Sequence, residues 1–274
     1  MFHLKFNFFH IGDQIATTAI PENLFNITGK RSVISDPRIW AFKHNPYVEF
    51  MSEQEASQYP TVSLIPDCRV PEMVQAYEKM MLIPVSNGQT EYMCVNMGFN
   101  DVRLRHPRLY VYEDVRPRPD RVVVHTTGSD RTRDSEPAIR RSSGEDEVRV
   151  MSDDVIESIR ENYRGWDVYQ VGADTDKSLG FGQDLRGRLD YWQVAELIAG
   201  SSRFIGVNSG PMHIANCYPR VDKRIVLMEF PVTTLVSYRP GDTRNWLFSW
   251  IDPASTFFNR FEQDAGFTYS HTKI

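Results

Sequence analysis

Short apolar runs separated by polar turns and by helical stripes recur along this chain, the signature of strands and helices in alternation. Leu4 to Phe9 reads as a buried first strand that ends at His10-Ile11-Gly12-Asp13. Ile15, Ala16, Ala19 and Ile20 then share a helical face, with Pro21 placed to kink or end that helix. Ser32 to Ser35 and Thr61 to Ile65 predict further strands, with a turn over Phe42 to Val48 between them. Val70, Met73, Val74, Tyr77, Met80 and Met81 stand at helical spacing, a stripe that belongs to a core rather than to a cofactor. Met93 to Met97 and Leu109 to Tyr112 read as the last strands of a first half.

Arg116-Pro117-Arg118-Pro119-Asp120 reads as a linker, because alternating proline removes backbone donors. Val122-Val123-Val124 opens a second half, followed by a charged loop over Asp130 to Glu147, a helix over Val155 to Tyr163 and a strand over Trp166 to Val171. The most informative stretch runs from Asp184 to Tyr218. It holds a polar turn, Asp184-Leu185-Arg186-Gly187, and a helix with Leu189, Trp192, Val194, Ala195, Leu197 and Ile198 on its apolar face. A buried strand from Arg203 to Val207 follows, then an abrupt turn, Asn208-Ser209-Gly210-Pro211, and a helix carrying Met212 and His213. A strand that ends in a small turn at a helix start is suited to an anion, since the first helical N–H groups lack internal partners. An ordinary α/β connection has the same form. Arg224 to Glu229 predicts a later strand, and Phe257, Phe258 and Phe261 a terminal amphipathic helix.

The stretch from Asp184 to Tyr218 resembles the donor-site region of the ADP-heptose–lipopolysaccharide heptosyltransferases, the ninth glycosyltransferase family. That family carries a D-L-x-G turn, a helix, a strand and D-[ST]-G-x-x-H; here Asn208 replaces the leading aspartate, followed by Ser209, Gly210 and His213. Gly12-Asp13-Gln14-Ile15-Ala16-Thr17-Thr18 is similar to the family's N-terminal G-D-x-hydrophobic-x-T-T segment, although the proline that often follows is displaced to Pro21. The resemblance implies an α/β protein of GT-B type, two Rossmann-like domains whose parallel sheets face a central cleft. The domains would span 1–118 (acceptor side) and 119–254 (nucleotide-sugar side), with a helix over 255–274 that returns to the first. It implies Asp13 as general base, with His10 the alternative; otherwise Asp13 only caps its helix. It assigns donor binding to Gly12, Thr126, Thr127, Arg131 (at the family's lysine), Asp174, Leu189, Asn208, Ser209, Gly210 and His213. Asp176 is the alternative to Asp174 for a ribose hydroxyl. The Phe230-Pro231 turn lacks the family's glycine, and Tyr238-Arg239-Pro240-Gly241 resembles a later family loop.

Composition narrows the classes without choosing among them. At 274 residues, with a net charge of −5, the chain has no global basic field to draw it to nucleic acid. Three cysteines without ligand spacing point to a reducing compartment. No apolar run reaches the length of a membrane span, so the expected location is cytoplasmic, with a peripheral visit to the inner membrane face for a lipid-linked acceptor. Neither GxGxxG after a strand nor GxxxxGK[ST] occurs. No metal site or metal-binding D-x-D signature is assigned, so no cofactor is expected beyond the donor substrate, a nucleotide-diphosphate sugar with ADP favoured by the resemblance. The acceptor is a hydroxyl on a glycan, a lipid-linked molecule, a protein, a natural product or a modified nucleic acid. A sugar-nucleotide epimerase and a non-catalytic nucleotide- or sugar-binding protein are alternative readings of the same fold.

Overall fold

The computed structural model describes residues 1–6, 11–18, 20–64, 107–128, 150–207, 209–227 and 256–259. Among the described residues, the chain divides into two compact units, with the change from one to the other between Val111 and Tyr112. Among the described residues, no helix is long and apolar enough to cross a membrane.

The first unit holds β1 (Phe2–Phe6), α1 (Ile11–Ala16), α2 (Ile20–Thr28), β2 (Ser32–Ile34), β3 (Val48–Phe50), α3 (Glu53–Ala56) and β4 (Thr61–Leu64). Its strands form a parallel sheet in the order β3-β2-β1-β4. The order reverses at β1, so the crevice beyond the carboxyl ends of β1 and β4 is where open sheets of this kind take ligands. α1 is the element that follows β1. It runs from Ile11 to Ala16, so the Asp13 backbone stands within the helix. Pro21 does not end that helix. It is the second residue of α2, where its missing N–H is one of those without a helical partner in any case.

Leu109 to Tyr112 is not a strand. Tyr110 and Tyr112 take φ values of 59° and 57°. The segment is tied to α2 and to the turn before it instead: the Arg108 N–H donates to Thr18 Oγ1 at 2.9 Å, and Glu22 of α2 accepts from the hydroxyls of Tyr110 and Tyr47. The helix predicted at Val70 to Met81 and the strand at Met93 to Met97 lie outside the described residues.

The second unit holds β5 (Arg118–His125), α4 (Asp153–Asn162), β6 (Asp167–Gln170), β7 (Gln183–Asp184), α5 (Tyr191–Ala199), β8 (Ser201–Val207), α6 (Gly210–Asn216), β9 (Asp222–Leu227) and β10 (Thr256–Asn259). They form a six-stranded parallel sheet in the order β10-β9-β8-β5-β6-β7. Val122 and Val124 of β5 join Ile205 and Val207 of β8 in one core with Ile156 and Ile159 of α4. Val123 and Phe204, at the alternate positions, are also fully buried, while α5 and α6 pack against β8. A parallel sheet covered on both faces explains why these strands read as continuous apolar runs.

Two expectations fail here. Arg118-Pro119-Asp120 is the start of β5, not linker. Proline is accommodated because the β5–β8 register shifts between Arg118 and Val122, and at such a bulge a missing donor costs no ladder bond. The Ser202 hydroxyl serves the carbonyls of Pro119 and Arg121 there, at 2.9 and 3.1 Å. The helix expected from Phe257 and Phe258 is, over Thr256–Asn259, a strand in parallel register with β9. Aromatic residues suit a strand as readily as a helix, and Phe261, the third residue of the expected helical spacing, lies outside the described residues.

Gly206 in β8 shows how tightly this sheet is packed. A Cβ there would lie 2.5 Å from the Phe204 ring, and Phe204 is fully buried. Gly206→Ala is expected to destabilise the protein by about 1–3 kcal/mol through overpacking, and by less in a Phe204→Leu background. Urea denaturation of the two single variants and the double variant measures the difference; equal costs in both backgrounds would refute the contact.

Candidate functional site

The strand order of the second unit reverses at β5: β6 and β7 lie to one side, and β8, β9 and β10 to the other. The crevice beyond the carboxyl ends of β5 and β8 is therefore the place for a ligand. β5 ends in His125 and runs into Thr126-Thr127; β8 ends at Val207, and Ser209 precedes α6. A hydrogen bond spans the crevice, Ser209 Oγ to His125 Nδ1 at 2.9 Å. Ser209 is the N-cap residue of α6, yet its side chain makes no capping bond. Its hydroxyl turns instead toward His125 and the Val207 carbonyl, 3.0 Å away. Gly210 and Pro211 are the first residues of α6, as the sequence predicts. His213 follows one turn on, is buried, and its N–H closes the first helical bond to the Ser209 carbonyl at 3.2 Å.

Thr126 and Thr127 are both buried, and their hydroxyls hold a neighbouring loop. Thr126 Oγ1 donates to the Lys177 carbonyl at 2.6 Å and accepts from Gln170 Nε2 at 3.2 Å. Thr127 Oγ1 accepts from the Lys177 N–H at 2.9 Å, which leaves its own O–H as the donor. The threonine pair therefore fastens the 172–179 loop to the end of β5, a use that the sequence did not reveal. Gln170, which also bonds Lys177 O and Leu179 N–H, is the unforeseen buried partner in that fastening.

Gly172 opens the loop with φ of 136°, and a Cβ there would lie 2.1 Å from Asp176 Oδ2. The Asp176 carboxylate points inward, accepting from the Ala173 N–H at 2.9 Å and standing 3.2 Å from His125 Nε2. Asp176 is thus occupied, whereas Asp174 is exposed and stands at the rim. Asp174-Thr175-Asp176 does carry the D-x-D spacing that the sequence reading passed over. The inward turn of Asp176 separates its role from that of Asp174, and among the described residues no three His, Cys, Asp or Glu side chains gather as a metal site.

The Asp184-Leu185-Arg186-Gly187 turn closes the same edge. The Gly187 N–H donates to the Gly172 carbonyl at 2.8 Å, and Gly187 takes φ of 65°. A Cβ at Gly187 would lie 2.9 Å from Asp174 Cβ, so this glycine lets the two turns touch. Arg186 reaches the Asp176 carbonyl and binds Asp184 through Nε and Nη2 at 2.9 and 2.7 Å. Leu189 is half-buried and precedes α5, which starts at Tyr191 under an Asp190–Gln193 capping box.

The structure brings Thr126, Thr127, Asp174, Ser209 and Gly210 to one edge of the second unit, with His213 behind them. Gly12 and Asp13 belong to α1 of the first unit, and the Asp13 side chain lies outside the described residues, as do His10, Arg131, Asn208, the 130–147 loop, Phe230-Pro231 and Tyr238 to Gly241.

Hydrogen bonds from Arg186 lower the Asp184 carboxyl from its ordinary value to about 2. A carboxylate lowered in the folded state stabilises it above the unfolded pKa of about 3.9, and that contribution is lost as pH falls through the folded value. The stability gap between the wild-type chain and Asp184→Asn should therefore be constant above about pH 5 and close toward pH 2. It will be small, because this side chain is nearly half exposed and screened. Urea midpoints measured against pH would expose a gap that does not depend on pH and so contradict the assignment.

No protein-family model and no curated protein sequence matches the chain. Solved structures do. A family 9 glycosyltransferase from Veillonella parvula superposes with a TM-score of 0.58 at 11% identity, covering 95% of this chain and 86% of that one. The Escherichia coli ADP-heptose LPS heptosyltransferase II gives 0.55 at 10% identity, covering 94% and 90%. The E. coli heptosyltransferase WaaC, solved with ADP, gives 0.54 at 10% identity, covering 94% and 93%. The chain has the α/β fold of these glycosyltransferases, the GT-B fold that the motifs led us to expect.

Proposed function

We propose that the chain is an inverting, metal-independent glycosyltransferase that moves a sugar, a heptose or a relative of it, from a nucleotide-diphosphate sugar to a hydroxyl acceptor. One observation carries the reading: four polar turns converge on the carboxyl edge of the second sheet, beside its strand-order reversal. They are Thr126-Thr127, Gly172–Asp176, Asp184–Gly187 and Ser209-Gly210. Their residue types match the heptosyltransferase motifs, and the fold is that of solved members of that class. The diphosphate would lie against the Ser209-Gly210 backbone and the Thr127 O–H, with Arg131 as its cation and Asn208 beside it. Asp174, exposed at the rim, would take a ribose hydroxyl.

In the reaction, a base removes the proton of the acceptor hydroxyl as its oxygen attacks the anomeric carbon. The bond to the diphosphate breaks on the opposite face, and the leaving group departs as the nucleoside diphosphate. Asp13 is the proposed base, placed in the helix that follows the strand where the first sheet reverses. ADP is the favoured nucleotide, since WaaC is solved with ADP.

Isothermal titration with ADP, UDP and GDP tests the donor site. Binding of one of them, weakened by about 1.5–3 kcal/mol in Arg131→Ala, is expected for a charge-assisted contact that the ligand buries. A folded protein that binds none of the three refutes the reading.

Asp13→Asn should lower turnover by roughly 10²–10⁴-fold, the usual contribution of a general base, with nucleotide affinity unchanged. Turnover should persist in EDTA. Full turnover in Asp13→Asn with a dead His10→Ala moves the role to His10, and full turnover in both refutes the assignment of the base.

A further inference from the structure

We infer that His125 is a positioning residue through which the Asp176 carboxylate sets the hydroxyl of Ser209, so that the turns on either side of the strand-order reversal bind as one unit. The inference rests on the nucleotide reading given above and adds a mechanism to it. An ionised carboxylate only accepts hydrogen bonds. Asp176 Oδ2 stands 3.2 Å from His125 Nε2, and a negative charge so close favours the tautomer with its proton on that nitrogen. In the neutral ring the other nitrogen, Nδ1, is then an acceptor. Ser209 Oγ lies 2.9 Å from Nδ1 and 3.0 Å from the Val207 carbonyl, which gives its single proton two destinations.

Asp176 decides between them. With Nε2 protonated, the hydroxyl donates to the basic Nδ1. With the proton on Nδ1, the ring would donate to Oγ and the hydroxyl would turn to the carbonyl. Asp176 therefore reverses or fixes a dipole that it does not touch.

The backbone is built around this relay. Gly172 leaves the room: a Cβ there would lie 2.1 Å from Asp176 Oδ2 and 3.0 Å from the His125 ring. The Ala173 N–H holds the same carboxylate oxygen at 2.9 Å. The His125 and Asp176 side chains are only 6% and 10% exposed, so water does not screen the relay. The consequence is coupling. A ligand touching the 172–176 turn and one touching Ser209 act on the same ring proton, although the two turns come from different strands.

Two readouts on the full chain test this. The first is the ¹H–¹⁵N spectrum of ¹⁵N-histidine-labelled protein, recorded where the ring is neutral, with the His125 signals assigned by their loss in His125→Gln. The expected result is a proton on Nε2 in the wild-type chain and in Ser209→Ala, and a mixture of tautomers in Asp176→Ala. A proton on Nδ1 in the wild-type chain overturns the relay, as does an unchanged spectrum in Asp176→Ala. The wild-type spectrum decides even where Asp176→Ala does not fold. The second readout is ADP affinity. Asp176→Ala and Ser209→Ala should each weaken it by roughly fivefold, and the double variant by about the same factor rather than about twenty-five-fold. Multiplied effects, or no effect from either variant, overturn the coupling. Absence of ADP binding by the wild-type chain would instead remove the nucleotide reading, while the tautomer result would still judge the relay.

Discussion

The hydrogen bond between Ser209 and His125 joins the ends of two strands that leave a parallel sheet in opposite directions. Such a reversal always opens a crevice, because the helices that follow the two strands cross to opposite faces. What fills the crevice depends on the residues at the strand ends. Here both ends are polar and buried, and each must find partners or lose the solvation that it gave up. Ser209 and His125 satisfy each other, and Asp176 completes the set from a third strand's loop. The rest of the second unit can be followed outward from that requirement.

The loop that brings Asp176 inward has to be fastened, and Thr126, Thr127 and Gln170 fasten it. It also has to pass close to a neighbouring turn, which Gly172 and Gly187 permit at backbone angles that other residues rarely adopt. β5 must deliver His125 and the two threonines to the sheet edge while tolerating Pro119 at its start. The shifted register there confines the irregularity to the end away from the site. In this way the polar edge, its glycines and the bulge are consequences of one arrangement.

Much of this was legible in the sequence wherever local chemistry decides local structure. The apolar runs at Val122–Val124 and Arg203–Val207, the turn at Ser209-Gly210 and the helix after it stand where the pattern put them, because a strand buried on both faces and a proline-opened helix leave plain marks. The inward face of the site was not legible. Thr126 and Thr127 resemble ligand donors in sequence, yet their hydroxyls answer to Lys177, some fifty positions later in the chain. His125 gave no signal, because its partners, Ser209 and Asp176, come from separate loops and only the sheet order brings them together. Prolines misled twice, at Pro21 and Pro119, since the same missing N–H that breaks a helix or strand costs nothing in a first turn or at a bulge. Phe257, Phe258 and Phe261 misled because their spacing fits a helical face, whereas the pairing with β9 that makes 256–259 a strand leaves no local mark in the sequence.

The central claim is that a nucleoside diphosphate occupies the edge where the order of the second sheet reverses. Hydrogen–deuterium exchange of the whole chain, with and without saturating ADP, tests it most directly. The account predicts added protection concentrated in peptides spanning 125–128, 172–176 and 209–213, three segments far apart in sequence. Protection confined to other segments, with these three unchanged while ADP is bound, would contradict it.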